Sequence, residues 1–201
     1  FTVDAASQLA GKPSMMSPEG GKAVTGHNHG GETTPSSNNT ESVKKHNTKN
    51  VSVSQKAKDG LKPIFTNYLA MKDALTNDNL ETAKKSGSNL LKSVESVNMS
   101  LFTGESHNVW MGLSADLKKS LEHIEHFNTI EDLRKAFIQI SNSVINLGIT
   151  FNPNDKPLYV LHCPMANNNN GADWLSSSKE VRNPYYGKSM LTCGEVSKEL
   201  K

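Results

Sequence analysis

From Ala57 onward the apolar residues recur with the period of a helix. Ala57, Leu61, Ile64, Tyr68, Met71 and Leu75 are spaced alternately by four and three residues, which places them on one face of an α-helix. Pro63 lies inside that pattern and predicts a kink in the first turns. Asn77-Asp78-Asn79 is a turn-and-cap signal, and Leu80, Ala83, Gly87, Leu90, Val94 and Val97 then repeat the stripe. A third helix is predicted through Trp110, Leu113, Leu117, Leu121 and Ile124. A fourth follows the capping box Thr129-Ile130-Glu131-Asp132 and carries Leu133, Phe137, Ile140, Val144 and Leu147. Stripes this wide are stable only when neighbours cover them, and the connections are short. The expected fold is therefore mainly α, an antiparallel up-down four-helix bundle.

Beyond Gly148 the helical period stops. Asn152 to Pro157 reads as a turn region and Leu158 to Leu161 as a short strand, so a small C-terminal strand-and-loop cap is expected on one end of the bundle, completing a domain over residues 52–201. Upstream, Phe1, Val3 and Ala5 alternate weakly, and residues 1–16 read as the remnant of an upstream domain. Residues 17–51 are rich in Gly, Ser, Thr, Asn and Pro and predict a disordered, flexible linker, because they have too little apolar surface to offset their ordering entropy. Met15, Met16, His27 and His29 are the unusual side chains of that arm. The chain opens on Phe1 rather than Met and is read as a piece of a longer protein.

Composition narrows the function classes. Among 201 residues, 22 basic and 20 acidic side chains are mixed along the sequence, so no basic face for nucleic acid is indicated. No apolar run approaches the roughly 20 residues that span a bilayer.

The concentrated chemistry lies near the C-terminus. Both cysteines have a methionine close by, in Cys163-Pro164-Met165 and Met190-Leu191-Thr192-Cys193. Thiols and thioethers together are soft ligands, suited to Cu(I) or Ag(I) and, through the thiolates, to zinc. His107 and Met111, four apart at the start of the third helix, share a face. In an up-down bundle that helix starts beside the end of the fourth, and only a short connection precedes Cys163. Cys163, Cys193, Met165, Met190, His107 and Met111 are thus expected to converge on one pole as a metal site.

Each has a plainer reading. Met111 and Met71 fit bundle packing, His107 a structural role, and His123 and His126 the negative end of a helix dipole. His162 alternates out of phase with Cys163 and faces away from it. A Cys163–Cys193 disulfide fits the two cysteines as well as a metal does, and would contribute about 3–4 kcal/mol in the chain-entropy model. No cysteine with a positioned base and no paired carboxylates mark an enzyme.

The C-terminal motifs Cys163-Pro164-Met165-Ala166, Gly171-Ala172-Asp173-Trp174-Leu175, Arg182-Asn183-Pro184-Tyr185-Tyr186-Gly187 and Met190-Leu191-Thr192-Cys193-Gly194 resemble the DUF3347 family, as does His107-Asn108-Val109-Trp110-Met111. The resemblance covers about residues 52 to 197. It implies a helical domain found alone in the periplasm or fused to the C-terminus of efflux adaptors. Phe1 to Met16 resembles the end of the membrane-proximal part of a CusB-like periplasmic adaptor, the membrane fusion subunit of copper/silver RND efflux systems. Together these resemblances imply a periplasmic metal-binding region whose partners are the RND pump and the outer-membrane channel. The alternative is a docking module of the same assembly, stapled by a Cys163–Cys193 disulfide.

Overall fold

The computed structural model describes residues 49–200. The strand remnant at 1–16, Met15, Met16, His27, His29 and all but the last three residues of the expected linker lie outside the described residues. Of those last three, Val51 is tied to the domain: it donates its N–H to the Thr150 carbonyl at 2.8 Å and packs against the core.

Four helices form where the stripes predict them: α1 (Gln55–Thr76), α2 (Leu80–Glu95), α3 (Glu105–Leu121) and α4 (Ile130–Phe151). Each start but one is capped by a side chain. Ser54 accepts from the Ala57 N–H at 3.2 Å, Asn79 from Thr82 at 2.9 Å and Thr129 from Asp132 at 3.2 Å, each satisfying an orphan donor of a first turn. Helix α1 runs through Pro63 without interruption. Its whole stripe, Ala57, Leu61, Ile64, Tyr68, Met71 and Leu75, is fully buried.

The helices pack in a closed ring, α1 on α2, α2 on α3, α3 on α4 and α4 on α1. None of the described helices is long and apolar enough to cross a membrane.

Two boundaries differ from the sequence pattern. Ile124 sits in a separate 3-10 turn (Ile124–His126) beyond α3, and its side chain reaches back against Gly87 of α2, where an added Cβ would meet it at 2.4 Å. Helix α4 continues past Gly148 to Phe151, ending at Asn152 with φ 43°. Its periodicity fades because its last turns are covered on nearly every side: Val144, Ile145, Leu147, Gly148, Thr150 and Phe151 are all buried. A stripe is visible in sequence only when one side of a helix meets water.

The C-terminal segment holds three strands rather than one. β1 (Leu158–Cys163) lies between β2 (Ala172–Ser176) and β3 (Glu195–Leu200), antiparallel to both. A short helical turn, Ala166–Asn169, with left-handed Asn167, Asn168 and Asn169, joins β1 to β2.

The sheet does not close one end of the bundle; it lies along its flank. Leu200 at the end of β3 packs on Gly148 and lies close to Phe65. Further along, the Tyr68 hydroxyl, bonded to Ser141 Oγ at 2.8 Å, accepts the Leu175 N–H of β2 at 3.1 Å. One buried phenol of α1 thus joins α4 to the sheet, and burial pushes its ionisation well up.

Candidate functional site

β1 carries Cys163 to its far end, opposite Ala172 of β2. Cys163 is fully buried, whereas its neighbour His162 points the other way and its Nδ1 lies 2.7 Å from Asp173 Oδ1. That alternation follows from the pleat.

Cys193 arrives from the opposite direction, two residues before β3. Its sulfur stands 3.1 Å from that of Cys163, and both cysteines are free thiols. The hydrogen bond to Cys163, and then partial burial, push the Cys193 thiol above its ordinary range, since a partly buried thiol beside another sulfur resists becoming an anion.

Backbone geometry makes this approach possible. Gly194 has φ +139°, and a Cβ there would stand 2.7 Å from the His162 carbonyl oxygen and 2.9 Å from Trp174 Cη2. Only a residue without a side chain lets the chain pass between β1 and the Trp174 ring at this point.

The loop before Cys193 is built on Asn183, which is fully buried. Its side-chain amide donates to the Cys193 carbonyl at 2.8 Å and its Oδ1 accepts from Tyr185 N–H at 2.8 Å. Its backbone N–H donates to the Leu191 carbonyl at 2.8 Å and its carbonyl accepts from Gly187 at 3.0 Å.

Two tyrosines flank the sulfurs. Tyr185 packs between Trp174 and Phe137, with ring centroids 5.9 Å from each, and its hydroxyl donates to the Asp173 carbonyl. Tyr186 donates to the Met165 carbonyl at 2.7 Å, and burial together with the two nearby thiols raises its pKa.

The whole loop is clamped to the bundle. Arg134 of α4 donates to the Pro184 carbonyl at 2.9 Å and to the Leu75 carbonyl at 2.9 Å, and pairs with Asp78 at 2.6 Å. Asp78 also accepts the Lys188 N–H at 3.3 Å, and the guanidinium holds its carboxyl below the usual range. Gly187, φ +56°, turns the chain against this pair.

The six expected ligands therefore divide. Cys163 and Cys193 are in contact, and Met165 and Met190 belong to the turns beside them. The Met165 side chain is 44% exposed, and the Met190 carbonyl accepts the Cys193 N–H at 3.1 Å.

His107 and Met111 stand at the other pole and do not converge with the thiols, contrary to what the helix order predicts. The start of α3 is set against the end of α4, since Phe102 stacks on Trp110 and meets Phe151 edge-on at 5.5 Å. The thiol site sits near Phe137, with about 21 Å of helix between Phe137 and Phe151. β1 produces that separation: it runs back along the flank instead of staying where α4 ends, and its five steps cover about 17 Å.

Sequence reasoning missed Asn183, Gly194 and the Arg134–Asp78 clamp. An Asn directly before Pro in an aromatic-rich turn was a usable signal for the first, as the Asn183–Tyr185 bond is an Asx turn. Among the described residues no group of three or more His, Cys, Asp or Glu side chains could hold a metal ion. Any ion held here would rest on the two thiols and the thioethers.

Fold and site together define a four-helix bundle with a dithiol pair on a flanking three-stranded sheet. Residues 64–156 match the family model described as a protein of unknown function, DUF3347. The matched segment spans the greater part of the bundle and stops before Cys163, so it is narrower than the resemblance expected from the C-terminal motifs. No curated protein and no solved structure matches the chain.

Proposed function

We propose that this chain binds a soft monovalent metal ion, Cu(I) or Ag(I), through the thiols of Cys163 and Cys193, and that it does so as the C-terminal region of a periplasmic heavy-metal efflux adaptor, capturing the ion or handing it over. The observation that carries the metal reading is the 3.1 Å contact between two free thiols, Cys163 buried at the end of β1 and Cys193 on a loop braced by Asn183 and Arg134. Ligands held close in advance lose little freedom on binding.

The donor set favours soft ions: two thiolates with Met165 and Met190 as candidate thioethers suit Cu(I) or Ag(I), whereas zinc sites usually complete four nitrogen, oxygen or thiolate ligands. The adaptor role rests on the resemblance of Phe1 to Met16 and of the C-terminal motifs. It implies an RND pump and an outer-membrane channel as partners. No catalysis is required of the site.

The same contact also supports a second reading, a Cys163–Cys193 disulfide stapling a protein-docking module of the assembly. One experiment separates the two. The full chain is titrated with Cu(I) under anaerobic, reducing conditions against a chromophoric chelator, beside the Cys163→Ser/Cys193→Ser double variant, with Trp174 fluorescence as a local reporter. Tight binding that quenches fluorescence and disappears in the double variant supports the metal site. No binding by the reduced parent, with no free thiols in protein purified without reductant, supports the stapled module instead.

A further inference from the structure

Methionine that serves packing is buried, as Met71 is in the bundle core. The large apolar side chains left exposed among the described residues are Met99, Met111, Met165 and Val196. Three of these four are thioethers, and Met99 and Met111 stand at the pole away from the thiol pair.

Helix α3 explains the exposure of Met111. Its buried face is Ser106, Trp110, Ser114, Leu117 and Leu121. Met111 follows Trp110 by one residue, about 100° around the axis, and is 44% exposed. His107 lies one turn before it on the same side and is half-buried. At this spacing the two Cβ atoms stand about 5–6 Å apart, within reach of a shared ion.

The preceding connection brings another thioether to the same pole. Phe102 stacks on Trp110 with ring centroids 5.2 Å apart, folding the 3-10 turn Met99–Leu101 back toward α3 and leaving Met99 51% exposed. Glu105 in the first turn of α3 offsets the positive end of the helix dipole, which would otherwise disfavour a cation there.

We propose that His107 and Met111 form a second, surface-exposed site for a soft monovalent cation, of the Cu(I) or Ag(I) class, separate from the thiol pair. An imidazole nitrogen and a thioether sulfur are neutral donors, so the site binds more weakly than a dithiolate and exchanges its ion readily. No ion bound there reaches the thiols, because about 21 Å of helix separates the two levels of the bundle. The site stands independently of the thiol reading.

The test is an Ag(I) titration of the full chain carrying Cys163→Ser/Cys193→Ser, in chloride-free buffer, followed by NMR at the methionine methyls and histidine rings. The Met111 methyl and the His107 ring are expected to shift together and to saturate. Adding His107→Gln is expected to weaken the Met111 response about tenfold or more. In the otherwise unaltered chain, His107→Gln/Met111→Leu is expected to remove one ion from the total while leaving the thiol site loaded. If the Met111 methyl does not move, or if it moves with the same midpoint after His107→Gln, the paired site is wrong. Equal total binding by the parent and the double-serine variant would sink the thiol site alone; joint His107 and Met111 shifts would still support this one.

Discussion

The Asn183 side-chain amide donates to the Cys193 carbonyl at 2.8 Å, while its own oxygen accepts the Tyr185 N–H. A fully buried amide thereby sets where the second thiol stands. Asn183→Ala would leave the Tyr185 N–H and the Cys193 carbonyl without those partners inside the fold, at about 2–3 kcal/mol. The expected outcome is a lower urea midpoint and a slower rate of Cys163–Cys193 cross-linking by a thiol oxidant. An unchanged cross-linking rate would show that the loop holds Cys193 without this residue.

Gly194→Ala is expected to damage the site more locally. The added methyl meets the His162 carbonyl and the Trp174 ring at under 3 Å in a backbone conformation that L side chains rarely adopt. A loss of roughly 2–4 kcal/mol follows, together with a change in Trp174 fluorescence. Wild-type stability and emission in this variant would contradict the close passage of the chain at this point.

Tyr68→Phe isolates the bond between bundle and sheet. The ring stays and keeps its stacking on Phe137 at 5.3 Å, but the Leu175 N–H and Ser141 Oγ lose the hydroxyl between them. Thermal unfolding should report about 1–3 kcal/mol of destabilisation. Hydrogen exchange at Leu175 should accelerate more than exchange at Leu61 in the core, and equal acceleration would argue against a specific hook.

The Arg134–Asp78 pair predicts an acid-dependent loosening of the loop. Asp78 has its folded-state pKa lowered, first by the hydrogen bond from Arg134, so its contribution is present above the ordinary aspartate value of about 4. It is lost as pH falls through that value and on toward the lowered one. Asp78→Asn should be less stable than the parent at neutral pH, with the difference shrinking below about pH 4. A difference that stays constant across that range would assign the effect to packing rather than to charge. The pair is partly exposed, so added salt should weaken it.

Much of the bundle was legible because its signals are local. The α1 stripe is buried residue for residue, and Asn79 and Thr129 cap the helices they announce. The end of α4 was not legible, since burial on nearly all sides erases the alternation that marks a helix face. The two outer strands were missed because neither alternates: in β2 Trp174, Leu175 and Ser176 are all buried, while in β3 Glu195, Val196, Ser197 and Lys198 are all exposed, so no clean period of two survives in either.

The residue types by themselves determined that this chain builds a four-helix bundle and that both its cysteines, each with a methionine close by, lie near the C-terminal end, because periodicity, capping and the choice of sulfur side chains are written position by position. Only the tertiary structure decided that Cys163 meets Cys193 and that His107 and Met111 stand apart from them. Which way β1 runs along the flank depends on contacts between residues far apart in the chain: Tyr68 with Leu175, Leu200 beside Gly148, Arg134 with Pro184. No local pattern encodes such contacts; they exist only once the core has assembled.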